Sequence, residues 1–162
     1  MRRFVLMAAA LLVSATPALA APAVVSVSVA PELQKKFEKT YGVREAHLLT
    51  KGLQSSVEKA LARTGAQDDA RVTLSLTDVK PNRPTFKQLG DTPGLSMESF
   101  GVGGAAIEGK VVTADGKETP IRYRWYETDI REAQSRWVWT DAEFAFDRLA
   151  RRLARGQDVA IR

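Results

Sequence analysis

The chain has 162 residues, 44% of them hydrophobic and 27% charged, with a formal net charge of +5 and no cysteine. That length suits one domain with a substantial core. The absence of cysteine excludes disulfides, thiolate metal sites, a cysteine nucleophile and a lipid-modified cysteine, and the mild charge is far from a nucleic-acid-binding pattern.

Arg2-Arg3 precedes an apolar run from Phe4 to Val13, followed by Pro17-Ala18-Leu19-Ala20. A basic start, a short apolar centre and a small-x-small end read as a secretory signal peptide. The run is shorter than the roughly 20 apolar residues of a retained membrane helix. Residues 1–21 are therefore expected to be cleaved, leaving a single domain, 22–162, that is periplasmic or secreted and contains no membrane span. Loss of Arg2 and Arg3 lowers the net charge from +5 to +3.

Val24 to Val29 alternates valine with serine, which predicts a half-buried first strand with Val25, Val27 and Val29 on one face. Pro31 ends it or opens a short helix carrying Leu33 and Phe37, and Gly42 interrupts that pattern. From Val43 the period changes: Val43, Ala46, Leu49, Leu53, Val57, Ala60 and Leu61 form one stripe on a helix of about six turns. Gly65 is placed for a left-handed cap. Gly52, inside the helix, marks a close approach to the sheet or a kink. Arg71 to Val79 returns to period two, with Val72, Leu74 and Leu76 opposite Thr73, Ser75 and Thr77. Pro81 to Glu98 holds three prolines and two glycines and keeps no period, and such long connections are often functional. Its Phe86, Leu89, Leu95 and Met97 suggest a loop folded down on the body.

Ser99 to Asp129 reads as a hairpin around Asp115-Gly116. A two-residue turn would set Ile107 against Arg124 and mix the faces. A three-residue loop, Ala114 to Gly116 with Gly116 left-handed, instead pairs Ile107 with Tyr123, Ala105 with Trp125 and Glu108 with Arg122. The bulged register is the expectation. A short strand, Ser135 to Trp139, is expected next, and then a last helix opened by a capping box of Thr140 and Glu143. Asp141 adds favourable charge to its first turn. Ala142, Ala145, Phe146, Leu149 and Leu153 form its stripe, Arg148, Arg151, Arg152 and Arg155 lie on or beside the other face, and Gly156 ends it. The fold expected is two-layer α+β: an antiparallel sheet of about four or five strands packed by two main helices, in the order β-α-β-long loop-β-β-(β)-α.

Candidate chemistry is sparse. Gly101-Val102-Gly103-Gly104-Ala105-Ala106 has the spacing of a dinucleotide fingerprint, but it runs into a strand rather than a helix, so no cofactor is expected. His47 is the single histidine, too few for zinc, and it sits in a structural helix, so no metal is expected. Glu127 and Asp129, sharing a strand face, are the carboxylates best spaced for an acid-base cleft, although strand-end solvation explains them equally. No residue is assigned as catalytic. The most suggestive cluster is Arg122-Tyr123-Arg124-Trp125-Tyr126 with Trp137-Val138-Trp139. It places Arg122, Arg124 and Tyr126 together on the polar face of the hairpin, where stacking and charge suit anionic or sugar-like ligands.

The segments Phe37 to Glu45, Pro81 to Asp91 and Ser99 to Ala105 give the chain its resemblance to small exported proteins of Gram-negative bacteria that have no assigned activity. The resemblance spans nearly the whole exported part and transfers no catalytic residue. The strand-helix-strand plan is similar, more loosely, to accessory envelope lipoproteins, without their anchoring cysteine. The sequence thus predicts a non-enzymatic envelope binding or accessory protein whose partner is an envelope polymer or an envelope protein. Its candidate ligand-binding residues are Arg122, Arg124, Tyr126, Phe86 and Lys87. The alternatives are a small hydrolase-like enzyme using Glu127, Asp129 or His47, and a structural or stress-related envelope protein with no small ligand.

Overall fold

In the computed structural model, which describes residues 21–157 and 159, the valine alternation gives strand β1 (Val24–Val29). The signal-peptide reading of the N-terminus lies outside the described residues. Pro31, with its fixed φ, opens helix α1 (Pro31–Lys36), and Leu33 and Phe37 are driven into the core. Phe37–Tyr41 then widens into a π-helical turn closed by a 2.7 Å bond from the Gly42 N–H to the Phe37 carbonyl. The long helix α2 (Val43–Thr64) follows, buries Ala46, Leu49, Leu53, Val57, Ala60 and Leu61, and ends on the left-handed Gly65. Val43 does not join that stripe. It lies in the first turn, before the helix reaches the sheet, and is exposed.

Strand β2 (Arg71–Lys80) returns beside β1 in parallel, Val25 against Val72 and Val29 against Leu76. Here the expectation of an all-antiparallel sheet is corrected. The crossover through α2 brings the chain back to its starting edge, and such a crossover pairs strands in parallel. A short helix, α3 (Phe86–Asp91), interrupts the long connection. Strands β3 (Gly104–Val112) and β4 (Glu118–Tyr126) then form the hairpin in the bulged register: Ile107 opposes Tyr123, Ala105 opposes Trp125 and Glu108 opposes Arg122. Gly116, at φ 83°, takes the left-handed position. The sheet is mixed, four-stranded and ordered β1-β2-β3-β4. Pro120, which has no N–H to offer a ladder, is accommodated because β4 is an edge strand.

Ser135 to Trp139 is not a strand. The short helix α4 (Ile130–Ala133) is followed by two turns that lead into α5 (Thr140–Ala154). Helices α2 and α5 pack on each other and cover one sheet face, so Leu49, Leu53, Phe146 and Leu149 meet Leu74, Leu76 and Ile107 in one core. Each such side chain contributes about 1.5–3 kcal/mol by leaving water. Gly52 serves the helix pair rather than the sheet: a Cβ there would sit 4.0 Å from the Phe146 ring. The uncovered face carries Ser26, Thr73, Glu108, Lys110, Arg122 and Arg124, the polar side of the alternation. Two layers of α+β structure result.

Candidate functional site

The connection from Pro81 is held in place by polar contacts along its length. Thr85 caps α3 with a complete capping box: its hydroxyl accepts from the Gln88 N–H, and the Gln88 side chain accepts from the Thr85 N–H at 3.1 Å. Arg83 donates to three carbonyls, those of Arg136 (2.7 Å), Met97 (2.5 Å) and Gln134 (2.7 Å). One planar guanidinium thus ties the loop to the segment before α5. Beneath it, the Asn82 amide donates to Asp141 Oδ2 (2.5 Å) and to the Gly101 carbonyl (3.0 Å), and its own oxygen accepts from the Asp141 N–H (3.0 Å). Asp141 Oδ2 also accepts from the Gly103 N–H at 2.9 Å, and Arg136 Nε lies 3.5 Å from Oδ1. Asp141 is 0% exposed. A buried carboxylate is tolerated when hydrogen-bonded and paired, and the positive end of α5 adds to its stabilisation.

The Thr140 capping box expected at the start of α5 does not form, and no side chain caps that end. The helix begins one residue early, with the Glu143 N–H bonding the Trp139 carbonyl, and the Thr140 hydroxyl turns back to accept from the Trp137 N–H at 2.9 Å.

This scaffold frames a groove of about 530 Å³ between the start of α2, the α3 loop and the turn before α5. Its floor is aromatic. The π-helical turn presents Tyr41 edge-on to Trp139 at 5.6 Å, and the Trp139 indole N–H donates to Glu45 at 2.6 Å. Its walls are apolar and wet: Phe86 is 82% exposed, Trp137 70%, Leu48 53% and Val43 49%. These are four of the seven large hydrophobic side chains that the described residues leave exposed, gathered at one place. Scattered exposed apolar residues are ordinary, whereas a contiguous set marks an interaction site. Charges of both signs, Arg44 and Lys87 against Glu45 and Glu143, stand at the rim. Loss of hydration, helped by nearby Asp147, pushes the Glu143 carboxyl above its ordinary range.

No protein-family model and no curated protein matches this chain.

Of the residues singled out from the sequence, Phe86 and Lys87 line the groove. Phe86 points outward instead of folding onto the body with Leu89, because α3 turns its side chain over the opening. Lys87 reaches Asp91 at 2.7 Å, one turn along α3. Arg122 and Arg124 are exposed on the uncovered sheet face. Tyr126 shares that face but is engaged: its hydroxyl donates to Asp78 at 2.6 Å, and Lys36 approaches the same carboxylate at 3.3 Å. Burial, then the Asp78 hydrogen bond, pushes the Tyr126 phenol far above its usual range. The three hairpin residues thus do not join Phe86 and Lys87 in one site.

Glu127 and Asp129 do not share a strand face, since β4 ends at Tyr126. Glu127 accepts from the Thr128 and Asp129 N–H groups, which lower its pKa, and Asp129 caps α4 and pairs with Arg131, which lowers its own. Both are held ionised as turn-forming groups. His47 lies exposed on α2, and neither it nor the two carboxylates line the groove. The glycine-rich stretch begins β3, and no helix follows it. Gly104 is there for close approach: a Cβ would fall 2.3 Å from the Trp125 carbonyl oxygen. Among the described residues no group of three His, Asp or Glu is placed to hold a metal ion, and no helix is long and apolar enough to cross a membrane.

The sequence did not single out Tyr41, Val43 or Leu48 as parts of a site, and it grouped Trp137 and Trp139 with the hairpin residues rather than with Phe86 and Lys87. The signal was partial: Val43 is placed in the predicted core stripe, Leu48 stands beside it, and Trp137 is assigned to a strand.

Proposed function

We propose that this chain is an exported, non-enzymatic binding protein of the bacterial envelope that captures a short apolar segment of a protein partner. The observation that carries the reading is the groove, where exposed Phe86 and Trp137 stand over a Tyr41–Trp139 floor on a firmly braced loop. Aromatic anchors in a preformed concavity are the usual energetic centre of protein recognition. Ordering the loop in advance, through Arg83 and the Thr85 cap, reduces the entropy lost on binding. A rim of both signs suits the polar flanks of a peptide better than a ligand of one charge. The basic-apolar-small N-terminus supports export, and the resemblance to exported Gram-negative proteins agrees with it.

The test compares capture from an envelope fraction by the wild-type chain, by Phe86→Ala/Trp137→Ala and by Arg122→Ala/Arg124→Ala. The groove reading expects the first double variant to lose the partner and the second to keep it. The reverse pattern moves the function to the hairpin face. Export is tested on native material by mass: a start at residue 21 or 22 is expected, and retained Met1 overturns it.

A further inference from the structure

At the other end of α5 a second concavity, of about 600 Å³, lies between the helix and edge strand β4. Four arginines of α5 and its C-terminal turn, Arg148, Arg151, Arg152 and Arg155, line it above the Tyr123–Trp125 stretch of the strand. The aromatic side chains beneath are already covered: the Arg148 guanidinium lies 4.5 Å from the Trp125 ring centroid and that of Arg152 lies 5.6 Å from the Tyr123 centroid. Both guanidinium groups thus have an aromatic partner and remain exposed to solvent. Burial pushes the Tyr123 phenol up, while Arg152, Arg148 and Arg151 pull it down, so three guanidinium fields converge on one ring. Among the described residues none of the four arginines forms an ion pair.

Along α5 the four sit at i,i+3 and i,i+4 spacings, where like charges destabilise a helix by about 0.2–0.5 kcal/mol per pair. The negative end of the helix dipole offsets only part of that repulsion. Held together against repulsion and met by no described carboxylate, they concentrate positive charge at one concave place. Its volume exceeds what one phosphate fills, and its concave shape suits a compact ligand better than a flat bilayer surface. Guanidinium forks match phosphate oxygens two at a time.

We propose that this concavity is a binding site for a compact, multiply phosphorylated ligand, separate from the apolar groove.

Inorganic tripolyphosphate is the probe, titrated calorimetrically into the full chain at about 0.15 M salt, where surface charges are screened beyond about 8 Å. One saturable site is expected. Arg148→Ala/Arg152→Ala should weaken it by at least about tenfold, the loss of two charge-assisted contacts. Arg151→Ala/Arg155→Ala, which leaves both stacked pairs intact, should do the same, so a folding defect in the first variant does not decide the matter. Arg44→Ala/Lys87→Ala, at the apolar groove, should bind as wild type. The proposal is overturned by absence of saturable binding, by equal binding of citrate, or by folded arginine variants that bind normally. It is also overturned if the chain sediments with phosphatidylcholine–phosphatidylglycerol vesicles while ignoring tripolyphosphate, which would make the cluster a membrane-surface patch.

Discussion

In its first turn α5 carries Asp141, fully buried and met by Asn82, the Gly103 N–H and Arg136; from its middle onward it carries Arg148, Arg151, Arg152 and Arg155, exposed and met by no described carboxylate. Both placements suit the helix dipole, so the dipole alone does not explain the difference. What separates them is partnership. The acidic end is paired from within, Oδ2 by hydrogen bonds and Oδ1 only by the Arg136 charge at 3.5 Å, and it serves architecture, positioning the loop that frames the apolar groove. The basic end meets two aromatic rings but no described carboxylate, which leaves its charge open to a ligand. Charge placement by itself is therefore a poor guide to function, and the presence or absence of an internal partner is a better one.

The largest effect that tests this contrast is expected at Asp141. Asp141→Ala leaves Arg136 with only the exposed Glu132 as a carboxylate partner and strips acceptors from Asn82 and the Gly103 N–H. Breaking a buried pair in this way costs about 3–5 kcal/mol, a large share of the roughly 5–15 kcal/mol that stabilises a domain. Thermal and urea unfolding should show a melting temperature lower by on the order of 10 °C or more. A change under about 1 kcal/mol would mean that the carboxylate is not architectural, and the contrast would fall.

Arg83 is next. Arg83→Ala removes three hydrogen bonds to carbonyls and should cost about 2 kcal/mol. Arg83→Lys should recover only part of it, because one ammonium cannot reproduce the fork. Hydrogen exchange should show the 81–98 loop opening well before the sheet. Equal protection of loop and sheet in Arg83→Ala would show that the guanidinium does not anchor the loop.

How far these contrasts were legible in the sequence depends on separation along the chain. The hairpin register was legible because a slip would have set Ile107 against Arg124, and pairing apolar with apolar excluded it. The helix stripes and the Gly65 cap are local and periodic, and they too were readable. Asn82 and Asp141 are 59 residues apart, and nothing in either neighbourhood announces the other. Ser135 to Trp139 misled for a physical reason. Its Trp-Val-Trp composition is strand-like, but Trp137 is exposed and Trp139 buried, whereas strand residues two apart share a face, and the segment lies against a loop, with the Val138 carbonyl accepting from the Asn82 N–H. Phe86 and Lys87 were recognisable in an irregular loop. Their groove partners come from three other stretches, which only the fold brings together.

A smaller effect is expected on the uncovered sheet face. Tyr126→Phe loses the 2.6 Å bond to Asp78 and should cost about 1 kcal/mol, since the site is partly wet. The sign of the pH dependence follows from the raised phenol. The folded state favours the neutral form, so this contribution is complete below the unfolded phenol pKa of about 10 and is lost as pH rises beyond it. Wild-type stability should therefore fall more steeply than that of Tyr126→Phe above about pH 10. Parallel alkaline limbs would show that Asp78 does not hold the proton on Tyr126.

The smallest stability effect is expected where the repulsion argument places function. Arg148→Ala/Arg152→Ala removes two cation–π contacts, each about 0.5–1 kcal/mol at an exposed site. It also relieves like-charge pairs along α5, each about 0.2–0.5 kcal/mol in the other direction. The terms nearly cancel, so unfolding midpoints should move by less than about 1 kcal/mol in moderate salt. Raising the salt sharpens the measurement, because screening weakens repulsion more than it weakens close stacking. Wild-type stability should then rise toward or above that of the double variant. If the double variant is instead destabilised as much as Asp141→Ala, the arginines are structural after all, and the two ends of α5 do the same work.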